Sequence, residues 1–237
     1  MYWRTYVGKE NIFAPATLRE VVDHLQTNQH IQPVTPKQEP ETAQQRTYSI
    51  DFAEIKGQDY AKRALTIAAA GRHNILLSGS PGTGKSMHAK AFIGILPQLS
   101  REESLDTTHL HSLINADSEH IIMRPPLRTP RHSTSNVALL GGGHTLRPGD
   151  ISLAHIGVLF LDELPEFTRG AIEGLQQPIE DNRVTISRAQ QSATLPANFI
   201  LIATSNPYPC GYYNSSKACS CSTNEIHRYQ KNIRSDT

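Results

Sequence analysis

The chain has 237 residues, with 23 Lys and Arg against 22 Asp and Glu and a formal net charge of +1. That balance gives no electrostatic reason to expect a broad nucleic-acid surface, although local basic patches stay open, and the length allows one large domain or one domain plus a fragment of another. The three Cys all lie after residue 209, an odd count that argues against a disulfide framework. No apolar run nears the roughly 20 residues that span a bilayer, and Met1 to Glu10 is polar and aromatic, unlike a secretory leader. No membrane contact is expected, and the expected location is cytoplasmic.

Tyr6-Val7 and Ile12-Phe13 are predicted as short strands. Leu18, Val21, Val22 and Leu25 then recur at helical spacing, with Thr17 as N-cap and Glu20 as its capping-box partner. The tract from Gln32 to Arg46 is rich in Pro, Gln, Glu and Thr and nearly lacks large apolar side chains, which makes it a linker. Too few residues precede it to build a core, so residues 1–31 are expected to be the end of a larger domain, 32–47 a linker, and 48–237 the main domain. Ala61 to Ala70 forms a strong helix, closed by Gly71 at C′. Asn74 to Ser78 is a short buried strand, and Met87 to Ile95 continues as a helix. Residues 100–150 are less regular and rich in His, Pro and Arg, and Gly141-Gly142-Gly143 marks a backbone that bends sharply or approaches something closely. Val158 to Leu161 is a buried strand. Val184–Ser187 and Ser192–Leu195 flank a hairpin turn, and Phe199 to Ala203 is a further buried strand. Apolar runs alternating with helices predict a parallel α/β sheet.

Between the first of these strands and its helix stands Gly79-Ser80-Pro81-Gly82-Thr83-Gly84-Lys85-Ser86, a full match to the phosphate-loop pattern G-x-x-x-x-G-K-[ST]. Chance would give such a match in about one chain in a hundred of this size. The order strand, glycine loop, helix is what the chemistry needs. Glycines let backbone N–H groups turn inward as an anion nest, and the helix N-terminus adds its dipole. Lys85 then reaches the β- and γ-phosphates, and the Ser86 hydroxyl is placed to bind Mg²⁺. ATP and Mg²⁺ are therefore the expected ligands.

Asp162 and Glu163 follow Val158 to Leu161, at the end of a buried strand where α/β sheets bind ligands. One carboxylate to hold Mg²⁺ and a second to orient or deprotonate the attacking water suits this pair, Asp162 to the metal and Glu163 to the water. The strand Phe199 to Ala203 runs into Thr204-Ser205-Asn206. Asn206, with Thr204 as second choice, is predicted to contact the γ-phosphate through its water.

These residues together resemble the AAA+ ATPases. The stretches Asp51 to Gln58, Ala61 to Leu65, Gly141 to Gly143, Arg147 to His155, Gln177 to Glu180 and Ile186 to Ala189 are similar to the magnesium-chelatase-like group typified by the YifB/ComM proteins. The resemblance covers residues 48 to about 230. It implies a P-loop NTPase three-layer sandwich with a parallel sheet and an insert in the second helix, preceded by the tail of a Lon-protease-like domain. It also implies that Ile55, Gly57 and Gln58 lie near the adenine. The triple glycine at 141–143 and the hairpin carrying Arg188 would face a central pore or a neighbouring subunit. Family members assemble as rings, hexamers in full-length relatives. They couple ATP hydrolysis to remodelling a partner, and the YifB/ComM branch is linked to DNA processing in natural transformation, so DNA is a possible partner.

Two departures shape the expectation. The family carries a Pro-Cys-Pro-Cys-Gly run and a later Cys-x-Cys, but here Tyr208 replaces the first Cys, leaving Cys210, Cys219 and Cys221. Three thiolates leave tetrahedral zinc one ligand short; His227 is the candidate to complete it, and zinc is not expected. A family member would also continue past Lys231 into a Leu-Leu-Asp-Arg segment that supplies an arginine finger, the last strand and a helical lid with the second sensor. Arg234-Ser235-Asp236-Thr237 stands here instead, so the expected fold lacks those parts and leaves the strand feeding the phosphate loop near an open apolar edge. Nucleotide binding is expected ahead of turnover, since a trans-acting Arg is worth about 10³–10⁵ in rate. Four alternatives stay open. They are the motor subunit of magnesium chelatase, a non-catalytic nucleotide-binding remnant, a transcription-activator ATPase and a small-molecule kinase. The activator lacks its sigma-contacting loop, and the kinase lacks its lid arginines.

Overall fold

The computed structural model describes residues 13, 15–26, 30–33, 50–114, 121–143, 146–188, 191–211 and 221–233. The chain divides into two units, Met1–Thr47 with Asp117–Ile121, and Tyr48–Ala116 with Ile122–Thr237. In the first, α1 (Leu18–Leu25) begins where the Thr17 side chain accepts the Glu20 N–H. The Glu20 carboxylate reaches one residue further back than expected, accepting from Ala16 N at 2.7 Å. The predicted strand at Tyr6-Val7, and Arg234, lie outside the described residues, as does most of the linker, while Phe13 is in no regular element.

The second unit is built on a four-stranded parallel sheet. In chain order its elements begin with α2 (Asp59–Gly71), β1 (Ile75–Ser78), α3 (Lys85–Phe92), α4 (Arg101–Ser112) and β2 (Leu127–Arg128). They continue with α5 (Asn136–Leu140), β3 (Gly141–Gly142), β4 (Arg147–Pro148), α6 (Asp150–Leu153) and β5 (Val158–Leu161). The last are α7 (Arg169–Glu173), α8 (Gln176–Asp181), β6 (Arg183–Arg188), β7 (Gln191–Pro196), β8 (Ile200–Ser205) and α9 (Thr223–Ile233). The strand order is β1-β8-β5-β2. Strand β5 is buried along its whole length, as a central strand covered on both faces must be.

Alternate residues of β5 and β8 feed two cores. Val158, Phe160, Ile200 and Ile202 pack under α2 and α3 with Leu65, Ala69 and Phe92. Leu159 and Leu161 pack on the other face with Leu139, Ile151, Phe167 and Ile186. Helices, sheet and helices thus form three layers. Among the described residues, strand β1 pairs with β8 alone, and its Leu76 is 47% exposed.

Three local outcomes differ from the sequence reading. Helix α2 includes Gly71, and the left-handed cap is Arg72 at φ 53°. A Cβ at Gly71 would lie 2.2 Å from the His73 imidazole, an exposed side chain with room to turn away. Residues 101–112 form a full helix that apolar periodicity did not reveal, because its buried positions are Ser104, Thr107, Thr108 and Leu110. Its start carried a signal, the reciprocal capping box of Ser100 and Glu103. Strand β8 also runs two residues further than expected, so Thr204 and Ser205 are buried strand residues.

The glycine triplet turns a helix into a hairpin. Helix α5 stops at Leu140, β3 and β4 pair antiparallel, and α6 resumes at Asp150. Gly141, Gly142 and Gly143 all have φ between 91° and 113°, a region that residues with a Cβ avoid. A Cβ at Gly141 would also lie 2.8 Å from the Arg147 carbonyl and 3.2 Å from Ile186 Cγ2. The small hairpin therefore rests on β6, one strand of the longer β6–β7 hairpin. There Val184 and Ile186 face inward while Thr185 and Ser187 face out.

Candidate nucleotide site

The loop after β1 is positioned by the strand beside it, since Gly79 N donates to Ser205 O of β8 at 3.3 Å. Gly82 and Gly84 both sit at φ 81°. The turn between them is closed by the Thr83 hydroxyl, which donates to Ser80 O at 2.9 Å. Gly84 is the N-cap of α3 and makes no side-chain cap bond, so the first N–H groups of the helix point into the loop.

Lys85 is the first residue of that helix. Its ammonium donates to Gly79 O at 2.6 Å, to Ser80 O at 2.9 Å and to Asn206 Oδ1 at 3.1 Å. Burial lowers its pKa from the usual 10.5, while Asp162 and Glu163 pull it back up. Ser86 donates to the Asp162 carboxylate, 3.0 Å from each oxygen. The phosphate loop, Asp162, Glu163 and Asn206 are therefore brought to one place. It is the C-terminal end of the central strands, where the chain order β1, β5, β8 becomes the spatial order β1, β8, β5.

Asp162 directly follows β5. Glu163 turns the chain with φ 58°, and its N–H donates to the Thr204 hydroxyl at 2.8 Å. That hydroxyl in turn donates to Asp162 Oδ1 at 2.6 Å. The side chain of Asn206 meets Lys85, and its N–H donates to the Tyr229 hydroxyl of α9 at 3.3 Å. Tyr229 is buried, and no sequence motif singles it out. The available signal was its spacing, since Ile226, Tyr229 and Ile233 recur at the helical interval.

Gln58 reaches the same site from the other side, as its side-chain amide donates to Thr83 O at 2.6 Å. It takes a left-handed backbone at φ 54°, next to Gly57 at φ 69°. Ile55 is buried, and its carbonyl accepts from the Lys62 ammonium. Residues 55–58 are thereby fastened to α2 at one end and to the phosphate loop at the other.

The triple glycine and the strand ending in Arg188 lie together, on the hairpin pair described above. Cys210 N donates to Cys221 Sγ at 3.3 Å, and His227 is an exposed residue of α9. Cys219 lies outside the described residues. Among the described residues, no cluster of three His, Cys, Asp or Glu is arranged to hold a metal. A Mg²⁺ site of the kind the loop implies needs no such cluster. It takes one hydroxyl, one or two carboxylates and phosphate oxygens, and Ser86 with Asp162 fits that hard-oxygen donor set.

A parallel three-layer sheet with a glycine loop entering a helix from its edge strand, and paired acids after the central one, defines an α/β P-loop NTPase of the AAA+ type. The profile of the family described as "Magnesium chelatase, subunit ChlI" matches residues 51–236. The chain belongs to this magnesium-chelatase-like family, in its YifB/ComM branch. The uncharacterized protein YifB of Escherichia coli is 43% identical over 216 residues, 88% of this chain and 42% of that protein. Competence protein ComM of Haemophilus influenzae is 43% identical over 213 residues, 89% of this chain and 42% of that protein. The magnesium-chelatase 67 kDa subunit of Chlorobaculum parvum is 28% identical over 160 residues, 67% of this chain and 23% of that protein. The chain thus spans about two fifths of the YifB and ComM relatives. A structure of the complex between subunits BchI and BchD of magnesium chelatase shares the fold, with TM-score 0.54 and 21% identity over 79% of this chain and 67% of that chain.

Proposed function

We propose that this chain binds ATP with Mg²⁺ in the loop from Gly79 to Ser86, and that in an assembled ring it hydrolyses ATP to remodel a partner. The observation that carries this reading is the convergence on one point of the Lys85 ammonium, the Ser86 hydroxyl bonded to Asp162, and Glu163. Residues 55–58 would flank the base. The loop N–H groups and Lys85 would hold the phosphates, while Ser86 and Asp162 would hold the cation. Bound Mg²⁺ supplies neutralisation of charge on the β- and γ-phosphate oxygens. Glu163 would orient the attacking water and accept its proton, and Asn206 would hold that water against the phosphate.

Assembly with further subunits, here proposed as a ring, is supported by the complex of BchI with BchD named for a structure of the same fold; a role in competence is supported by the name of the ComM relative, and DNA is the partner proposed for it. Arg188 and the glycine hairpin at 141–143 would be the surfaces turned to that partner. Residues 1–31 would be the tail of a preceding Lon-like domain. No helix among the described residues is long and apolar enough to cross a membrane, and the working location proposed is the cytoplasm.

The test is equilibrium binding of a fluorescent ATP analogue to the whole chain, followed by phosphate release. Lys85→Ala removes a charged donor, and binding is expected to fall by roughly ten- to a hundredfold, the effect of about 1.5–3 kcal/mol for a charged hydrogen bond. Glu163→Gln is expected to retain binding and lose any hydrolysis. Absence of ATP affinity in the unaltered chain overturns the reading.

A further inference from the structure

We propose that Thr204 is a positioning residue that sets both acids of the site through one hydroxyl. Its side chain is 1% exposed, and its backbone pairs with Leu77 of β1. The hydroxyl has one proton and two lone pairs. The proton goes to Asp162 Oδ1 at 2.6 Å, and one lone pair takes the Glu163 N–H at 2.8 Å. A hydroxyl engaged this way is not directed at a phosphate. The Asn206 amide oxygen instead accepts from the Lys85 ammonium, at 3.1 Å.

The two bonds do different work. Asp162 Oδ1 receives donors from Thr204 and from Ser86, which fixes the plane of the carboxylate relative to the start of α3. Glu163 holds a left-handed backbone at φ 58°, a conformation that residues with a Cβ adopt only when neighbours enforce it. The Thr204 acceptor is the bond that ties down the amide at that turn, and with it the point from which the Glu163 side chain departs. Valine at 204 has nearly the same shape and neither bond, whereas serine keeps both.

The proposal rests on the assignment of Asp162 and Glu163 to metal and water, but its first test does not. Amide hydrogen exchange of the whole chain, followed by NMR without nucleotide, should show Glu163 N–H exchanging at least about tenfold faster in Thr204→Val. That is the effect of one lost buried hydrogen bond. Thr204→Ser should stay within about twofold of the unaltered chain. The second test titrates Mg²⁺ against the fluorescent ATP analogue. Thr204→Val should need about five- to tenfold more Mg²⁺ for its half-maximal effect, the consequence of a carboxylate left unoriented. Affinity without Mg²⁺ should be unchanged.

Unchanged Glu163 protection in Thr204→Val, or a serine variant that behaves like valine, overturns the proposal. Thr204→Ala carries the same comparison if valine prevents folding. A slowly exchanging Thr204 hydroxyl proton, with a cross-peak to the Glu163 amide, is expected in the unaltered chain, and its absence also counts against the clamp. If the chain binds no nucleotide, the functional reading fails while the exchange result still decides on Thr204.

Discussion

Replacing Gly157 by alanine should damage the sheet far more than one methyl group suggests. A Cβ there would lie 2.1 Å from the Pro126 carbonyl oxygen and 2.6 Å from Pro126 Cδ. That oxygen is tied in place because it accepts the Val158 N–H at 2.8 Å, a bond that joins β2 to β5. On the far side, the Gly157 carbonyl accepts from Ile200 N at 2.9 Å. The methyl must therefore push β2 away or pull β5 off β8. Overpacking costs about 1–3 kcal/mol and a severed buried backbone bond about 1–3 more, so the variant should lose about 2–6 kcal/mol. Against a usual total of about 5–15 kcal/mol, that leaves little margin. Urea unfolding followed by circular dichroism measures it, as a shift in midpoint at constant slope. Gly170→Ala is the control, since its Cβ would meet only the side-chain amide of Asn136, at 2.9 Å, and that group can swing aside. Helix propensity favours alanine there by about 1 kcal/mol, so Gly170→Ala should match or exceed the unaltered chain. A Gly157→Ala midpoint within about 1 kcal/mol of the unaltered chain, or equal losses in both variants, would refute the reasoning that the rigidity of the opposing backbone decides the cost.

Acid should weaken the packing of α4 and α6 before the carboxylates titrate. Burial lowers the pKa values of His111 and His155 below the usual 6.5, and His155 Nδ1 is occupied in accepting the Asn198 N–H at 3.1 Å. The unfolded chain therefore takes up protons first, so stability falls as pH drops through 6.5 and levels off below the lowered folded values. Urea midpoints between pH 7.5 and 5.5 should show this fall, and His155→Gln should reduce it; an unchanged pH slope would assign the loss elsewhere. Arg128→Gln removes the ion pair that ties β2 to Asp150 of α6, where the Arg side chain is 37% exposed and the Asp side chain 17%. After allowance for that exposure the loss should be about 1–2 kcal/mol, and it should shrink in 1 M salt. A loss that is insensitive to salt would make the role of Arg128 one of packing.

The strands were legible because their signals are local: β5 is four consecutive apolar residues, and the glycine loop must follow a strand and open a helix. Helix α4 was not, because its buried face carries hydroxyls and leaves no apolar stripe at helical spacing. Gly71 misled for a related reason. A glycine after a helical run suggests a left-handed cap, yet here the helix runs through Gly71 and Arg72 makes the left-handed turn. Within the site, Lys85, Ser86, Asp162 and Glu163 could be named from spacing alone. The division of labour between Thr204 and Asn206 could not, since both are polar residues near the end of one strand. It depends on β8 continuing through Ser205, which buries Thr204 and carries Asn206 beyond the sheet.

Strand β5 explains why these acids can be held so closely. Its residues alternate between the two cores, with Val158 and Phe160 under the helices that frame the phosphate loop. Leu159 and Leu161 lie in the cluster that also holds Leu139 of α5 and Ile186 of β6. Asp162 is thus the continuation of a strand clamped from both faces, and Thr204 ties it sideways to β8. The hairpin that starts at Gly141 rests on Ile186, so its root belongs to the same cluster as Leu161. Close-packed side chains transmit displacement because they have little room to yield. Under the proposed function, a load on the two hairpins would reach the acids through this packed cluster rather than through a flexible loop. The glycines at 141 and 149 are what let the hairpin seat there: a Cβ at 149 would lie 2.4 Å from both the Gly141 nitrogen and the Leu139 oxygen. The triplet and its partner glycine thus act through shape, by letting two backbones meet at the base of a hairpin seated on the core beside the strand that leads into Asp162.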